Sequence, residues 1–106
     1  MKFGLKKTTI KQIIKVFSSF SEVEEAIIFG SRAKGNYKPA SDIDITLKGD
    51  ELTLRDLNKI SMALYDIPLP YTFDLSIYKQ IDNPELIEHI DRVGKLFYSR
   101  AGKAAL

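Results

Sequence analysis

The sequence of 106 residues contains no cysteine. This absence excludes disulfide bonds and thiolate chemistry, so any metal site must use carboxylates or the single histidine, His89. No apolar run approaches the roughly 20 residues that a membrane-spanning helix needs. The N-terminal segment also has no apolar stretch long enough for a signal peptide. These absences favour a cytoplasmic protein that does not contact a membrane.

The chain also lacks a strong net charge. Its 16 Lys and Arg residues are balanced by 14 Asp and Glu residues, which gives a formal charge of +2. Nucleic-acid-binding proteins usually carry a concentrated basic surface. Here the positive residues are scattered, apart from Lys6-Lys7 and a group formed by Arg32, Lys34 and Lys38. Nucleic acid is therefore not expected as a direct partner.

The length of the chain predicts a single domain over residues 1–106, with a frayed tail over about residues 101–106. Its apolar content of 44% is sufficient for a hydrophobic core. A domain of this size leaves much of its surface exposed. The exposed surface could therefore bind a second copy of the chain or a different protein.

Three segments have the apolar periodicity and the capping residues of amphipathic helices. The residues that are expected to cap their N-termini are Thr9, Thr53 and Asn83. The first helix is expected to run to about Ser19, and the apolar stripe of the last helix continues to Phe97. On this last helix, His89 is expected to be a packing or partner-facing residue rather than a metal ligand.

The segments between these helices predict strands. Glu25–Phe29 is a short apolar run ended by Gly30, which is typical of a buried strand. Residues 42–47 and 72–77 alternate between polar and apolar side chains, which predicts strands with one face in the core. The segment from Ser31 to Ser41 predicts a turn or a single helical turn followed by a loop. This order predicts an α/β (α+β) fold, a small mixed sheet of about three strands with helices packed on one face.

Two aspartates, Asp42 and Asp44, lie two residues apart on the second predicted strand, so both carboxylates leave the same face. Bare carboxylates placed in this way repel each other, and a divalent cation between them would remove the conflict. Oxygen ligands favour Mg²⁺ or Mn²⁺. Asp74, on the polar face of the next strand, could join them if the two strands are neighbours. The alternative is an exposed strand face that happens to be acidic.

The Gly30-Ser31 pair directly follows the first predicted strand. Glycine allows backbone N–H groups to approach a phosphate, and a helical turn that starts here would direct its N-terminus at the anion. Ser31 adds a hydroxyl donor. The alternative is an ordinary turn at the end of a strand.

Taken together, these motifs resemble the minimal nucleotidyltransferase branch of the DNA polymerase β superfamily. Gly30-Ser31, ten further residues, Asp42-Ile43-Asp44 and the later Asp74 form the signature of that superfamily. The flanking residues 30–35 and 41–45 also resemble the minimal branch. The similarity spans roughly residues 27–98.

The resemblance implies a polymerase-β-like nucleotidyltransferase fold and a metal-dependent enzyme, with two Mg²⁺ ions as cofactors and Mn²⁺ as a possible substitute. The implied catalytic and metal-binding residues are Asp42, Asp44 and Asp74. The implied nucleotide-binding residues are Gly30, Ser31, Arg32 and Lys34. The alternative for Arg32 and Lys34 is that they are solvated loop charges.

The resemblance also implies a partner. Members of the minimal branch are typically paired with a helical HEPN-domain toxin, and as antitoxins they can transfer AMP from ATP to a tyrosine of that toxin. We therefore expect ATP or another NTP as the donor and a tyrosine hydroxyl of a HEPN-type partner as the acceptor. Two alternatives stay open: a non-catalytic antitoxin that neutralises the partner by occlusion, and nucleotide transfer to a small molecule.

Overall fold

A computed structural model of the chain describes residues 1–102. The helices are α1 (Lys7–Ser18), α2 (Gly30–Lys34), α3 (Leu54–Tyr65) and α4 (Pro84–Val93), and a 3₁₀ turn covers Tyr78–Gln80. The strands are β1 (Glu25–Phe29), β2 (Ile43–Lys48), β3 (Phe73–Ile77) and β4 (Lys95–Ser99). The expected frayed tail falls mainly on residues 103–106, which lie outside the described range. Among the described helices, none is long and apolar enough to cross a membrane.

The strands form one mixed sheet in the order β3-β2-β1-β4. The central strand β1 pairs antiparallel with both β2 and β4, whereas β2 pairs parallel with β3. The α/β class and the mixed sheet are therefore confirmed, but the sheet has four strands rather than the expected three.

The fourth strand replaces the end of the last predicted helix. Helix α4 stops at Val93, and Gly94 turns the chain so that Lys95–Ser99 pairs with β1. Phe97, which matched the helical spacing, is fully buried as a strand residue. The prediction failed because an unpaired edge of β1 would leave its backbone groups without partners. That requirement comes from the sheet and is invisible in the local periodicity.

The main core lies between one face of the sheet and the helices α1 and α3. All members of this group are shielded from solvent. Its strand members include Ala26, Ile28, Ile43, Ile45, Leu47 and Phe97, and its helix members include Ile13, Phe17, Ile60 and Leu64. The residues that alternate with these along β1 and β2 point to the opposite face of the sheet.

Helix α4 packs on that opposite face, so the helices do not all lie on one side. Ile27 and Phe29 alternate with the core residues of β1, and the Phe29 ring meets the His89 ring edge to face with centroids 6.1 Å apart. A side chain at Gly94 would also come within 2.7 Å of Ile27 Cγ2, which shows how closely the end of α4 approaches the sheet. His89 has the packing contact that was expected of it.

The capping predictions are confirmed for two helices and wrong for the first. Helix α1 begins two residues before Thr9, and its N-cap, Lys6, makes no side-chain hydrogen bond. At α3 the Asp56 N–H donates to Thr53 Oγ1 (3.3 Å) and the Thr53 N–H donates to Asp56 Oδ2 (3.0 Å), which completes a capping box. Asn83 Oδ1 accepts the first free N–H groups of α4.

We expect Thr53→Ala to lower the free energy of unfolding by about 1 kcal/mol, because the first turn of α3 loses its side-chain acceptor. Thr53→Ser keeps the hydroxyl and should stay close to the wild type. Urea denaturation followed by circular dichroism measures both values. An equal loss in the two variants would show that the methyl group, and not the cap, stabilises this position.

Candidate active site

Three aspartates lie at the same end of the paired strands β2 and β3. The parallel register places Asp44 directly beside Asp74. Asp42 lies one residue before β2, rather than within it, and its Oδ1 accepts a hydrogen bond of 2.8 Å from the Thr72 hydroxyl. Strands β2 and β3 are therefore neighbours, which is what Asp74 needed in order to lie on the same side as Asp42 and Asp44.

Thr72 was not among the predicted site residues. It precedes β3 and lies on the same polar side of the alternating segment as Asp74. This period-two pattern was visible in the sequence. Only the hydrogen bond to Asp42 shows that the hydroxyl belongs to the site.

The environment of Asp44 disfavours its charged form. Desolvation is the largest cause, followed by the charges of Asp74 and Asp42, and together they raise the pKa of Asp44 from 3.8 to about 6. Arg32 opposes this shift through its positive charge. Ionised Asp44 is therefore disfavoured by its partial burial and repelled by both neighbouring aspartates.

The carboxylates suit a divalent cation in type and in charge. Within residues 1–102, however, no three carboxylate or imidazole groups are gathered closely enough to form a ready-made metal site. Desolvation and the charges of Asp74 and Asp42 raise the pKa of Asp44, and a bound cation would offset both effects. Asp42 and Asp74 are exposed, so their side chains can rotate without disturbing the core. The donor set thus fits Mg²⁺ or Mn²⁺.

The Gly30 turn touches the central carboxylate. The antiparallel register places Phe29 opposite Asp44, and Gly30 follows with a φ of +71° as α2 begins. A Cβ atom at position 30 would overlap Asp44 Oδ2 and lie 3.2 Å from Asp44 Cγ. Only glycine allows this backbone conformation together with this close approach. Ser31 then follows in the first turn of α2.

The two basic residues of this turn have different surroundings. Lys34 is exposed at the end of α2, in agreement with either of its predicted roles. Arg32 is only 2% exposed and is not a solvated loop charge. The backbone carbonyls that accept its four hydrogen bonds belong to Phe3, Pro39 and Ser41. Its guanidinium carbon also lies 4.8 Å from the ring centroid of Tyr71 and 5.4 Å from that of Tyr37.

The predicted nucleotide-binding residues are therefore only partly brought together. Gly30 lies against the Asp44 carboxylate, Ser31 follows it in α2, and Lys34 is exposed at the end of this helix. The three nitrogen atoms of Arg32 already donate to the protein backbone, so a contact with a triphosphate would compete with these bonds.

The sequence matches known nucleotidyltransferases over most of its length. The family model described as Polymerase beta, Nucleotidyltransferase matches residues 11–103. A protein of Methanocaldococcus jannaschii that is named as a protein adenylyltransferase is 30% identical over 90 residues, which cover 80% of this chain and 91% of that protein.

The structure is similar to solved structures of the same fold. One is that of a tri-AMPylated Shewanella oneidensis HEPN toxin in complex with an MNT antitoxin (TM-score 0.68, 18% identity, covering 92% of this chain and 75% of that chain). A toxin–antitoxin structure with AMP-PNP gives a TM-score of 0.68 at 20% identity, and covers 90% of this chain and 74% of that one. A Sulfolobus solfataricus protein named as a nucleotidyltransferase is 26% identical, with a TM-score of 0.55 and 97% of both chains covered.

We expect Asp44→Asn to raise the free energy of unfolding at pH 7 by about 1 kcal/mol. The pKa shift alone would give more, but the carboxyl is only partly buried and solvent screens it. The folded state binds the Asp44 proton more tightly than the unfolded state, so the carboxyl destabilises the fold increasingly as the pH rises from about 4 to about 6. The stabilisation should therefore shrink as the pH falls and be close to zero below pH 4. Thermal denaturation of the wild type and of Asp44→Asn between pH 4 and pH 7 measures this stabilisation. The exposed Asp82→Asn is the control. A gain that does not depend on pH would contradict the repulsion.

The contact between Gly30 and Asp44 can be tested with a matched glycine. Gly30→Ala and Gly35→Ala both place alanine at a positive φ, but a Cβ at position 35 meets nothing within 4 Å. We expect Gly30→Ala to cost roughly 1–3 kcal/mol more than Gly35→Ala, because it adds a collision to the backbone strain. Urea denaturation measures the difference, which should shrink in an Asp44→Ala background. A difference that persists there would place its origin elsewhere.

Proposed function

Because the chain belongs to the polymerase beta nucleotidyltransferase family, we propose that it transfers AMP from ATP to a tyrosine hydroxyl of a helical HEPN-domain partner. The chain is a nucleotidyltransferase, and this proposal names its donor and its acceptor. The observation that carries it is the placement of Asp42, Asp44 and Asp74 at one end of β2 and β3, with the Gly30 turn against Asp44.

The relatives support both halves of the proposal. The Methanocaldococcus protein is named for transferring an adenylyl group to protein. The Shewanella MNT antitoxin was solved with a HEPN toxin that carries AMP, and another toxin–antitoxin structure holds AMP-PNP. By analogy, the proposed partner is a toxin, and this chain is its antitoxin.

The triphosphate of ATP would bind at the start of α2. The positive φ of Gly30 turns the backbone immediately after β1, and the N–H groups of the first helical turn have no partner within the helix. Ser31 can donate its hydroxyl to the same phosphates. Lys34, exposed at the end of this turn, would balance part of their negative charge.

The three aspartates would hold two Mg²⁺ ions, with Mn²⁺ as a substitute. When bound, these ions supply charge neutralisation for the triphosphate and for the attacking oxygen. Asp44 lies against the Gly30 turn, where the triphosphate would bind, and Asp74 lies beside Asp44 on the edge strand of the sheet. The Thr72 hydroxyl orients Asp42 through its hydrogen bond.

In the transfer, the tyrosine oxygen attacks the α-phosphorus of ATP and forms the new P–O bond. The bond from the α-phosphorus to the bridging oxygen breaks, and pyrophosphate leaves with that electron pair. The proton of the tyrosine hydroxyl passes to the Asp74 carboxylate. Gly30 and Ser31 keep the triphosphate in line with the attacking oxygen, which must lie about 3–3.5 Å from phosphorus.

The exposure of the site favours a protein acceptor. Asp42 and Asp74 are both exposed side chains, so the acceptor hydroxyl approaches an open surface. A small acceptor would find few groups there to orient it. A docked protein can orient its tyrosine with binding energy from a separate interface.

The proposal predicts that the partner gains mass. Intact-mass spectrometry of a HEPN partner incubated with this protein, ATP and Mg²⁺ should show one or more added AMP units. Asp74→Ala should add none, because the proton acceptor and a metal ligand are lost, whereas the exposed Asp82→Ala should behave like the wild type. EDTA should abolish the transfer. A partner whose mass never changes, but whose toxicity is still blocked, would favour occlusion instead.

A further inference from the structure

The most unusual side chain outside the carboxylate group is Arg32. It is the largest of the fully buried side chains in the part of the chain that the structure describes. Removing a charge from water is costly unless other groups replace the hydration. Over residues 1–102, no carboxylate forms an ion pair with this guanidinium. Backbone carbonyls and two tyrosine rings take the place of water instead.

Two of the groups that surround the guanidinium belong to segments that lead into the carboxylate site. Ser41, whose carbonyl accepts two of the hydrogen bonds (2.9 and 3.1 Å), directly precedes Asp42. Tyr71, whose ring lies under the guanidinium, directly precedes Thr72. The Thr72 hydroxyl donates to Asp42, and its carbonyl accepts the first backbone N–H of β2. One side chain thus joins the approaches to β2 and β3.

We propose that Arg32 is a positioning residue, whose guanidinium clamps the loop before β2 against the segment before β3 and so sets Asp42 relative to Asp74. This role differs from the triphosphate contact that the sequence suggested. It rests on the proposed function only because the transfer needs both carboxylates in place. The carbonyl of Phe3 ties the N-terminal segment to the same clamp through a bond of 2.9 Å.

The clamp requires the shape of arginine, and a positive charge alone is not sufficient. A guanidinium is a rigid planar fork that can donate in several directions while its face packs on an aromatic ring. A lysine ammonium is a compact point charge, so it cannot reach the same carbonyls and pack on Tyr71 at once. Arg32→Lys therefore keeps the charge and removes the clamp.

The first measurement uses the protein without metal, ATP or partner. Hydrogen exchange of the Ile43 amide reports on the segment, because this N–H donates to the Thr72 carbonyl at 2.9 Å. In Arg32→Lys we expect this amide to exchange roughly tenfold faster through local opening, while amides in the middle of β1 and β2 keep their protection. The exposed Arg55→Lys, on α3, is the matched control and should leave the Ile43 amide unchanged.

The second measurement is the transfer rate. We expect Arg32→Lys to lower kcat by about 100-fold, the usual effect of misplacing a reacting group by an ångström, with the KM for ATP nearly unchanged. If Arg32→Lys does not fold, Tyr71→Leu keeps the apolar bulk and removes the ring under the guanidinium, and it should show both effects at smaller size.

Three outcomes would overturn the clamp. They are an unchanged Ile43 amide, exchange that rises equally throughout β1 and β2, and a loss that is confined to the KM for ATP. The last would restore Arg32 as a triphosphate ligand. The exchange experiment involves no reaction, so it decides the clamp even if the wild-type protein transfers no AMP to the partner.

Discussion

The register of β2 is the constraint on which the rest of the structure depends. Ile43, Ile45 and Leu47 are completely shielded from solvent, and a shift of one residue would move all three to the other face of the sheet. Burial of these side chains therefore forces Asp44 onto the opposite face. Because β2 pairs with β1 on one side and β3 on the other, its register also decides which residues meet Asp44. These residues are Phe29, with the Gly30 turn behind it, and Asp74.

The resulting site is crowded with negative charge, which does not favour the fold by itself. Desolvation and two neighbouring carboxylates raise the pKa of Asp44, so ionisation of this group works against the folded state near neutral pH. In the active site that we propose, the same crowding would favour a bound cation, and lower stability is common at such sites. The hydrophobic core on the other face of the sheet offsets this cost. One face of β2 thus stabilises the fold through its buried apolar residues, whereas the other face carries the destabilising Asp44.

The site combines rigid strands with a loop that must be held in place. Asp44 and Asp74 lie within paired strands, and their relative position follows from the backbone ladder. Asp42 precedes its strand and depends on side chains for its position, namely the Thr72 hydroxyl and, in our proposal, Arg32. The buried guanidinium lies close enough to Asp44 to oppose the rise of its pKa. A buried cation close to Asp44 is therefore part of the fold itself.

Local patterns determined much of this protein, and long-range pairing decided the rest. The alternation of residues 42–47 and 72–77, the run Glu25–Phe29 and the caps of α3 and α4 act over a few residues, so the sequence alone was sufficient to predict them. Contacts between segments far apart in the chain decide the fourth strand, the place of α4 and the burial of Arg32. For example, the Arg32 guanidinium binds both the Phe3 carbonyl and the carbonyls of residues 39 and 41. Helical spacing could not reveal that Phe97 belongs to a strand, because the free edge of β1 lies about 70 residues earlier in the sequence. The sequence predicted Arg32 as a nucleotide ligand because it follows a phosphate-binding motif. Only the fold shows that backbone carbonyls surround its guanidinium. Only the tertiary structure determines which distant groups pair with a buried hydrogen-bond donor or a buried charge.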